Sequence, residues 1–189
     1  ILLNYIDQFP QKKYLSKFNY NLEKPGATGE LWIKAQELLN RDKKIKFFKT
    51  HNLLNTKGDH RFTDSKNTIG AVYIVRDPRN VITSYKNHFD LSYENALKHM
   101  LDETRFTYDK SKKNDFSDFQ FISSWEKNYQ SWKNNKLIPV KFLKYEDLLD
   151  ETFFVFKEII EFIDKLTNNK KGFSREKAKN AVGSTSFEN

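Results

Sequence analysis

The stretch Ala71-Val72-Tyr73-Ile74-Val75-Arg76-Asp77-Pro78-Arg79-Asn80-Val81-Ile82-Thr83-Ser84 decides the fold. Its first five residues are the longest unbroken apolar run in the chain. They read as a strand buried on both faces of a parallel sheet. Asp77 can then cap a helix through its carboxylate, and Pro78 suits the first helical position, where a backbone N–H has no helical partner anyway. Val81, Ile82, Tyr85 and Phe89 recur at helical spacing and give that helix an apolar stripe.

The same alternation continues on both sides. Upstream, Lys24-Pro25-Gly26 marks a turn, and Thr28 can cap a helix with Leu31, Trp32, Ala35, Leu38 and Leu39 on one face. Ile45-Lys46-Phe47-Phe48-Lys49 reads as a short strand, and Ile1–Ile6 as the tail of a helix. Downstream, a helix is expected over Ser92–Glu103. Ser117-Asp118-Phe119-Gln120 has the capping-box pattern and leads into Ile122, Trp125, Tyr129 and Trp132 at helical spacing. Those aromatics are expected in the core. Pro139-Val140-Lys141-Phe142-Leu143 is a third strand, Phe153–Leu166 a long helix, and Ser174 caps a last helix ending near Gly183. Strands alternating with helices predict an α/β sheet with βαβ crossovers. In such sheets ligands bind beyond the carboxyl ends of the strands, which selects Lys49–His51, Arg76–Ser84 and Tyr145–Asp147.

The 189 residues suit one domain. Mean hydropathy is low, −0.79, yet aromatic residues make up 15% of the chain, enough to build a core. The absence of cysteine excludes a disulfide framework, a thiolate metal site and a cysteine nucleophile together. No apolar run approaches the ~20 residues of a membrane span, and no signal segment opens the chain, so a cytoplasmic protein without a membrane partner is expected. With 33 Lys and Arg against 25 Asp and Glu, the net charge is +8, which favours anionic partners without naming one. The lysine pairs are scattered among turns, as solvated charge usually is.

Four residues carry candidate chemistry. Arg76 stands where a strand meets a helix N-terminus, a place that favours phosphate, and its guanidinium can grip two phosphate oxygens. Arg76 can equally pair with a nearby carboxylate, and Ser84, two turns on, can be an ordinary helix serine. His51 has a reference pKa near 6.5, suited to taking a proton from a hydroxyl, or it is a hydrogen-bonded loop histidine. Lys49 supplies positive charge there or snorkels at the sheet edge. Asp77, Glu146 and Asp147 read as caps and arginine partners, and no spacing resembles a metal site.

Four segments in order resemble the family of sulfotransferases that use 3′-phosphoadenosine 5′-phosphosulfate (PAPS). Arg76-Asp77-Pro78-Arg79-Asn80-Val81 through Ser84 to His88 is similar to its 3′-phosphate-binding segment. Lys49-Thr50-His51 resembles its K-T-H segment, Tyr145-Glu146-Asp147 its Y-E-D segment, and Thr185-Ser186-Phe187 its T-S-F segment. The resemblance implies a P-loop NTPase-like fold, a three-layer parallel β-sheet flanked by helices. It implies His51 as catalytic base with Lys49 beside it, Arg76 and Ser84 on the 3′-phosphate, and Tyr145, Thr185 and Phe187 around the nucleotide. PAPS is then the sulfuryl donor, adenosine 3′,5′-bisphosphate the product, and no metal is required. The family's P-K-[ST]-G-[ST]-T-W loop and its R-K-G segment have no counterpart between Ile1 and Asn189. The expectation is a single sulfotransferase domain over 1–189, truncated at both ends.

The implied function is transfer of the sulfuryl group of PAPS to a hydroxyl or amine acceptor. A catalytically inactive nucleotide-binding protein of the same fold is one alternative, and a basic nucleic-acid-binding module another; no nucleic-acid partner is expected. The expected acceptor is a hydroxyl-bearing small molecule or glycan, because the candidate walls Asn52–Asn67 and His88–Asn114 mix charged with aromatic residues. Lys57, His60, Arg61 and Lys66 stand in the first, and Phe89, Tyr93, Phe106 and Tyr108 in the second.

Overall fold

In the computed structural model, which describes residues 6–18, 23–54, 61–112, 115–170 and 172–184, short strands alternate with helices. The strands are β1 (Asp7–Gln8), β2 (Phe48–Lys49), β3 (Ala71–Val75), β4 (Phe106–Thr107), β5 (Gln120–Phe121) and β6 (Val140–Lys144). The helices are α1 (Lys12–Leu15), α2 (Trp32–Leu39), α3 (Pro78–Phe89), α4 (Tyr93–Leu101), α5 (Trp125–Lys133), α6 (Tyr145–Asp150), α7 (Thr152–Thr167) and α8 (Arg175–Gly183). This is the mixed α/β architecture that the alternation predicts. Among the described residues the strands pair in twos: β1 with β2 and β3 with β6 in parallel, β4 with β5 antiparallel. No described helix is long and apolar enough to cross a membrane.

The β3–β6 pair positions the site. Its register runs without a slip from Ala71 opposite Val140 to Val75 opposite Lys144, so Arg76 and Tyr145 leave the two strands at the same level. Tyr73 faces α5, its ring centroid 6.0 Å from Trp132 and 5.3 Å from that of Phe142 on the neighbouring strand. Leu54 and Ile138 complete this core. On the opposite face α7 covers β6, where Leu143 is buried and Lys141 pairs with Glu158 at 2.7 Å. Gly70 admits α7 to the start of β3, since a Cβ there would lie 2.4 Å from Leu166 Cδ1. A second core around β1 and β2 joins Phe9, Leu15, Leu31, Trp32, Ala35, Phe62 and Phe119.

Four expectations are corrected. β3 is not buried on both faces: Val72 and Ile74 are 37% and 54% exposed, because α7 lies over β6 and leaves the same face of β3 open. The strand expected over Ile45–Lys49 shrinks to Phe48–Lys49, since its partner β1 is itself only Asp7–Gln8. Thr28 does not cap α2; it is fully buried inside a 3₁₀ turn, Ala27–Leu31, that leads into that helix. Ser117–Gln120 opens no helix either. Gln120 Oε1 accepts from the His51 N–H and Asp118 Oδ2 from the Asp109 N–H, Gln120 and Phe121 pair as β5 with β4, and Ser124 caps α5 by accepting from the Lys127 N–H. The helices expected at Ser92–Glu103, Phe153–Leu166 and after Ser174 correspond to α4, α7 and α8. The Ile1–Tyr5 part of the first expected helix lies outside the described residues.

Candidate active site

At the end of β3, Asp77 caps α3 as its sequence position predicts. Its carboxylate accepts from the Arg79 N–H at 2.8 Å and from the Arg79 guanidinium at 2.6 Å. Those side-chain and backbone bonds from Arg79 pull the Asp77 carboxyl down to about 2. The Asp77 N–H donates to Glu146 Oε1 at 3.4 Å, and the Asn80 and Val81 N–H groups donate to the Asp77 carbonyl. Pro78 has no N–H to offer. The first turn of α3 therefore does not present the row of free donors expected from a bare helix N-terminus. What remains for an anion at this point is Arg76.

Arg76 stacks on Tyr145, its guanidinium carbon 4.6 Å from the ring centroid, as the unslipped register of β3 and β6 requires. Its Nε is closed to solvent and has no hydrogen-bond partner. The alternative of a structural Arg76–carboxylate pair is absent among the described residues: Asp77 is taken by Arg79, and Glu146 by the Asp77 N–H. Ser84 lies exposed on α3, and no hydrogen bond joins it to Arg76. Thr185 and Phe187 lie outside the described residues.

Beyond the carboxyl end of β2, the backbone of Thr50–Asn52 is held rigidly by side chains that sequence reading had not singled out. Gln120 Oε1 accepts from the His51 N–H at 2.7 Å and from the Thr50 hydroxyl at 3.2 Å. Asn128 Nδ2 donates to the His51 carbonyl at 3.1 Å, and Asn128 Oδ1 accepts from the Tyr73 hydroxyl at 3.1 Å. Burial pushes the Tyr73 phenol up to about 12, so it stays a donor. Asn52 Oδ1 accepts from the Phe121 N–H, and its carbonyl accepts from Trp132 Nε1. Asn128 thus ties the end of β2 to β3. The signal for Gln120 was available: Asp118-Phe119-Gln120-Phe121 alternates polar with aromatic, a strand period rather than a helix period.

His51 opens at the surface of this rigid turn. The pKa of its imidazole is lowered, first by lost hydration among the surrounding groups and then by the positive charges of Lys49 and Arg105. At neutral pH it is accordingly a free base. Arg105 is anchored by stacking on Tyr85 of α3, 4.5 Å from the ring centroid, and by a hydrogen bond to the Tyr85 hydroxyl. A cleft of about 390 Å³ opens at His51, lined also by Thr107, Tyr108, Lys112, Asp118 and Gln120. Of the two expected pocket walls, the His88–Asn114 segment contributes through Thr107–Lys112, whereas none of the described residues of Asn52–Asn67 lines this cleft.

The structure thus shows, on an α/β fold, a strand-end arginine stacked on tyrosine with no carboxylate partner among the described residues, and a histidine over a polar cleft. The family model described as the sulfotransferase domain matches residues 12–189, and the chain belongs to that family. Family members transfer sulfuryl groups and typically use PAPS as donor. No curated protein matches the chain.

Proposed function

We propose that the protein transfers the sulfuryl group of PAPS to a hydroxyl-bearing acceptor and releases adenosine 3′,5′-bisphosphate. The observation that carries this reading is Arg76, whose buried Nε has no partner among the described residues while its guanidinium is fixed on Tyr145. An arginine so held fits the 3′-phosphate, and Tyr145 fits the nucleotide beside it. Ser84, Thr185 and Phe187 would contribute to the same nucleotide as the family pattern implies. When bound, PAPS supplies a sulfuryl group joined to a phosphate leaving group.

The residues of this chain supply the rest. His51, unprotonated at neutral pH, accepts the proton of the acceptor hydroxyl as its oxygen bonds to sulfur and the sulfur–oxygen bond to the phosphate breaks. Gln120 and Asn128 fix the backbone of His51 on both sides, so little positional freedom remains to be lost in the transition state. Lys49 lies close enough to bias the imidazole and offers charge toward the transferring group.

The test combines binding with turnover. Adenosine 3′,5′-bisphosphate should raise the melting temperature of the whole protein more than 5′-AMP does, because a charge-assisted hydrogen bond contributes about 1.5–3 kcal/mol and only the bisphosphate reaches Arg76. Incubation with PAPS and a panel of phenols, alcohols and sugars should give a sulfated product by mass spectrometry. Equal shifts with both nucleotides count against the Arg76 assignment. Selective binding without any product identifies the inactive nucleotide-binding alternative.

A further inference from the structure

The cleft at His51 is lined by two buried polar side chains with atoms that have no partner among the described residues. Gln120 is 1% exposed; its Oε1 is used by the His51 N–H and the Thr50 hydroxyl, and its Nε2 has no partner. Asp118 is 7% exposed; its Oδ2 accepts from the Asp109 N–H at 3.0 Å and from Lys112 Nζ at 3.4 Å, and its Oδ1 has no partner. Both residues line the cleft. One orphan is a donor and the other an acceptor. A buried polar group without a partner is costly, and an aliphatic hydroxyl is the group that gives to one while taking from the other.

We infer that Asp118 and Gln120 read a second hydroxyl beside the one that His51 deprotonates, so that the acceptor is a neutral, carbohydrate-like molecule with adjacent hydroxyls. This rests on the proposed sulfuryl transfer at His51. Adjacency is inferred from Gln120, whose amide oxygen bonds the His51 backbone N–H and which lines the same cleft as His51. Neutrality follows from charge, since among the described residues Asp109 and Asp118 at this end of the cleft are paired with Lys112. In the free protein both orphan atoms are shielded from solvent, so contact with a ligand requires the two side chains to turn toward the cleft that their residues line. A phenol or steroid brings one hydroxyl and an apolar body, which leaves both atoms unpaired in a cleft lined mainly by polar groups.

The test uses the whole protein with PAPS and compares trans-cyclohexane-1,2-diol, cyclohexanol and phenol by kcat/KM. The diol should exceed cyclohexanol at least about tenfold, since a site built to bond a hydroxyl rejects the analogue that lacks it. In Asp118→Asn, the amide oxygen must stay on the Asp109 N–H and Lys112, which turns an NH₂ toward the cleft in place of an acceptor. The diol-to-cyclohexanol ratio should then fall toward one while the thermal shift with adenosine 3′,5′-bisphosphate persists. Saturation-transfer NMR of methyl glucopyranoside, with that bisphosphate bound, reads the same site without turnover and should lose its signal in Asp118→Asn. Equal or better use of cyclohexanol or phenol, or a ratio unchanged in Asp118→Asn, overturns the inference and leaves sulfuryl transfer standing. Absence of a pyranoside signal in the unmodified protein also overturns it. If no acceptor is sulfated but the pyranoside signal is present and Asp118-dependent, hydroxyl recognition stands and the transfer reading falls.

Discussion

His51 joins a perturbed titration to a fixed backbone at the mouth of a cleft. Its folded-state pKa lies below the ordinary 6.5, so at pH between those two values the unfolded chain binds the extra proton. Stability linked to His51 is therefore fully present above the unfolded pKa and is lost as pH falls through the folded one. The rate should follow the same group. The acid limb of kcat/KM should have an apparent pKa below 6.5, and Lys49→Met should move it upward by removing one of the two neighbouring charges that lower it. An acid limb at or above 6.5 in the unmodified protein argues against His51 as the base. His51→Ala should lower transfer about 10²–10⁴-fold while adenosine 3′,5′-bisphosphate still stabilises the protein. The sequence singles out Arg76 because it directly follows an apolar strand and His51 through its likeness to the family's K-T-H segment, and the structure puts both just beyond strand ends. Gln120, Asn128 and Asp118 were not singled out, because the importance of the first two lies in partners 55 to 77 residues away and that of Asp118 in an oxygen left unpaired among the described residues. Local spacing carries no trace of either.

Helices started by a local cap and the two apolar strands β3 and β6 were read correctly, whereas segments whose side chains bond distant residues were not. Asp77-Pro78 and Ser92 each start a helix where their side chains accept the expected backbone N–H. The Ser117–Gln120 capping box failed because Gln120 spends its amide oxygen on the His51 turn. β3 reads as doubly buried from its composition alone, since an apolar run does not reveal which of its faces a helix will cover. The working N-cap of α5 is Ser124, which is nearly buried and accepts from the Lys127 N–H. α5 in turn carries Asn128, Ser131 and Trp132, which hold His51, Leu54 and Asn52 through hydrogen bonds. Ser124→Ala should cost about 1 kcal/mol, the usual value of a lost N-cap. In a chain of this size that lowers the melting temperature by about 2–4 °C. Because the same helix clamps the His51 turn, transfer should weaken while nucleotide binding at Arg76 does not. A melting temperature unchanged in calorimetry would show that another group takes over the cap.

At the scale of the molecule, the +8 charge poses the question of what anion it serves. Nucleic acid needs a stripe of cations that follows a phosphate backbone. Here many lysines are tied one by one to carboxylates on different elements: Lys13 to Asp7, Lys98 to Glu94, Lys127 to Glu103, Lys141 to Glu158 and Lys157 to Glu161. These are mostly exposed pairs, worth little to stability, but each removes a free cation from any continuous track. Among the described residues Arg76 is withdrawn onto the Tyr145 ring without a carboxylate partner, as Arg105 is on Tyr85 at a different place in the fold, and each is a point contact suited to a single anionic group. Two salt dependences should therefore part company. A duplex binder with 6–10 phosphate contacts loses about 10³–10⁵ in affinity between 50 and 200 mM salt. The adenosine 3′,5′-bisphosphate shift should survive that change with only a few-fold loss of affinity, because a partly buried contact is screened far less than a surface track. A labelled 20-base-pair duplex, followed by anisotropy at 150 mM salt, should bind more weakly than about 1 μM, within the range of non-specific association. Tighter, steeply salt-dependent duplex binding would transfer the +8 charge to a nucleic-acid surface. In that case Arg76 on Tyr145 would be one contact among many, and its replacement by Ala would cut the salt slope by about one charge instead of abolishing nucleotide selectivity.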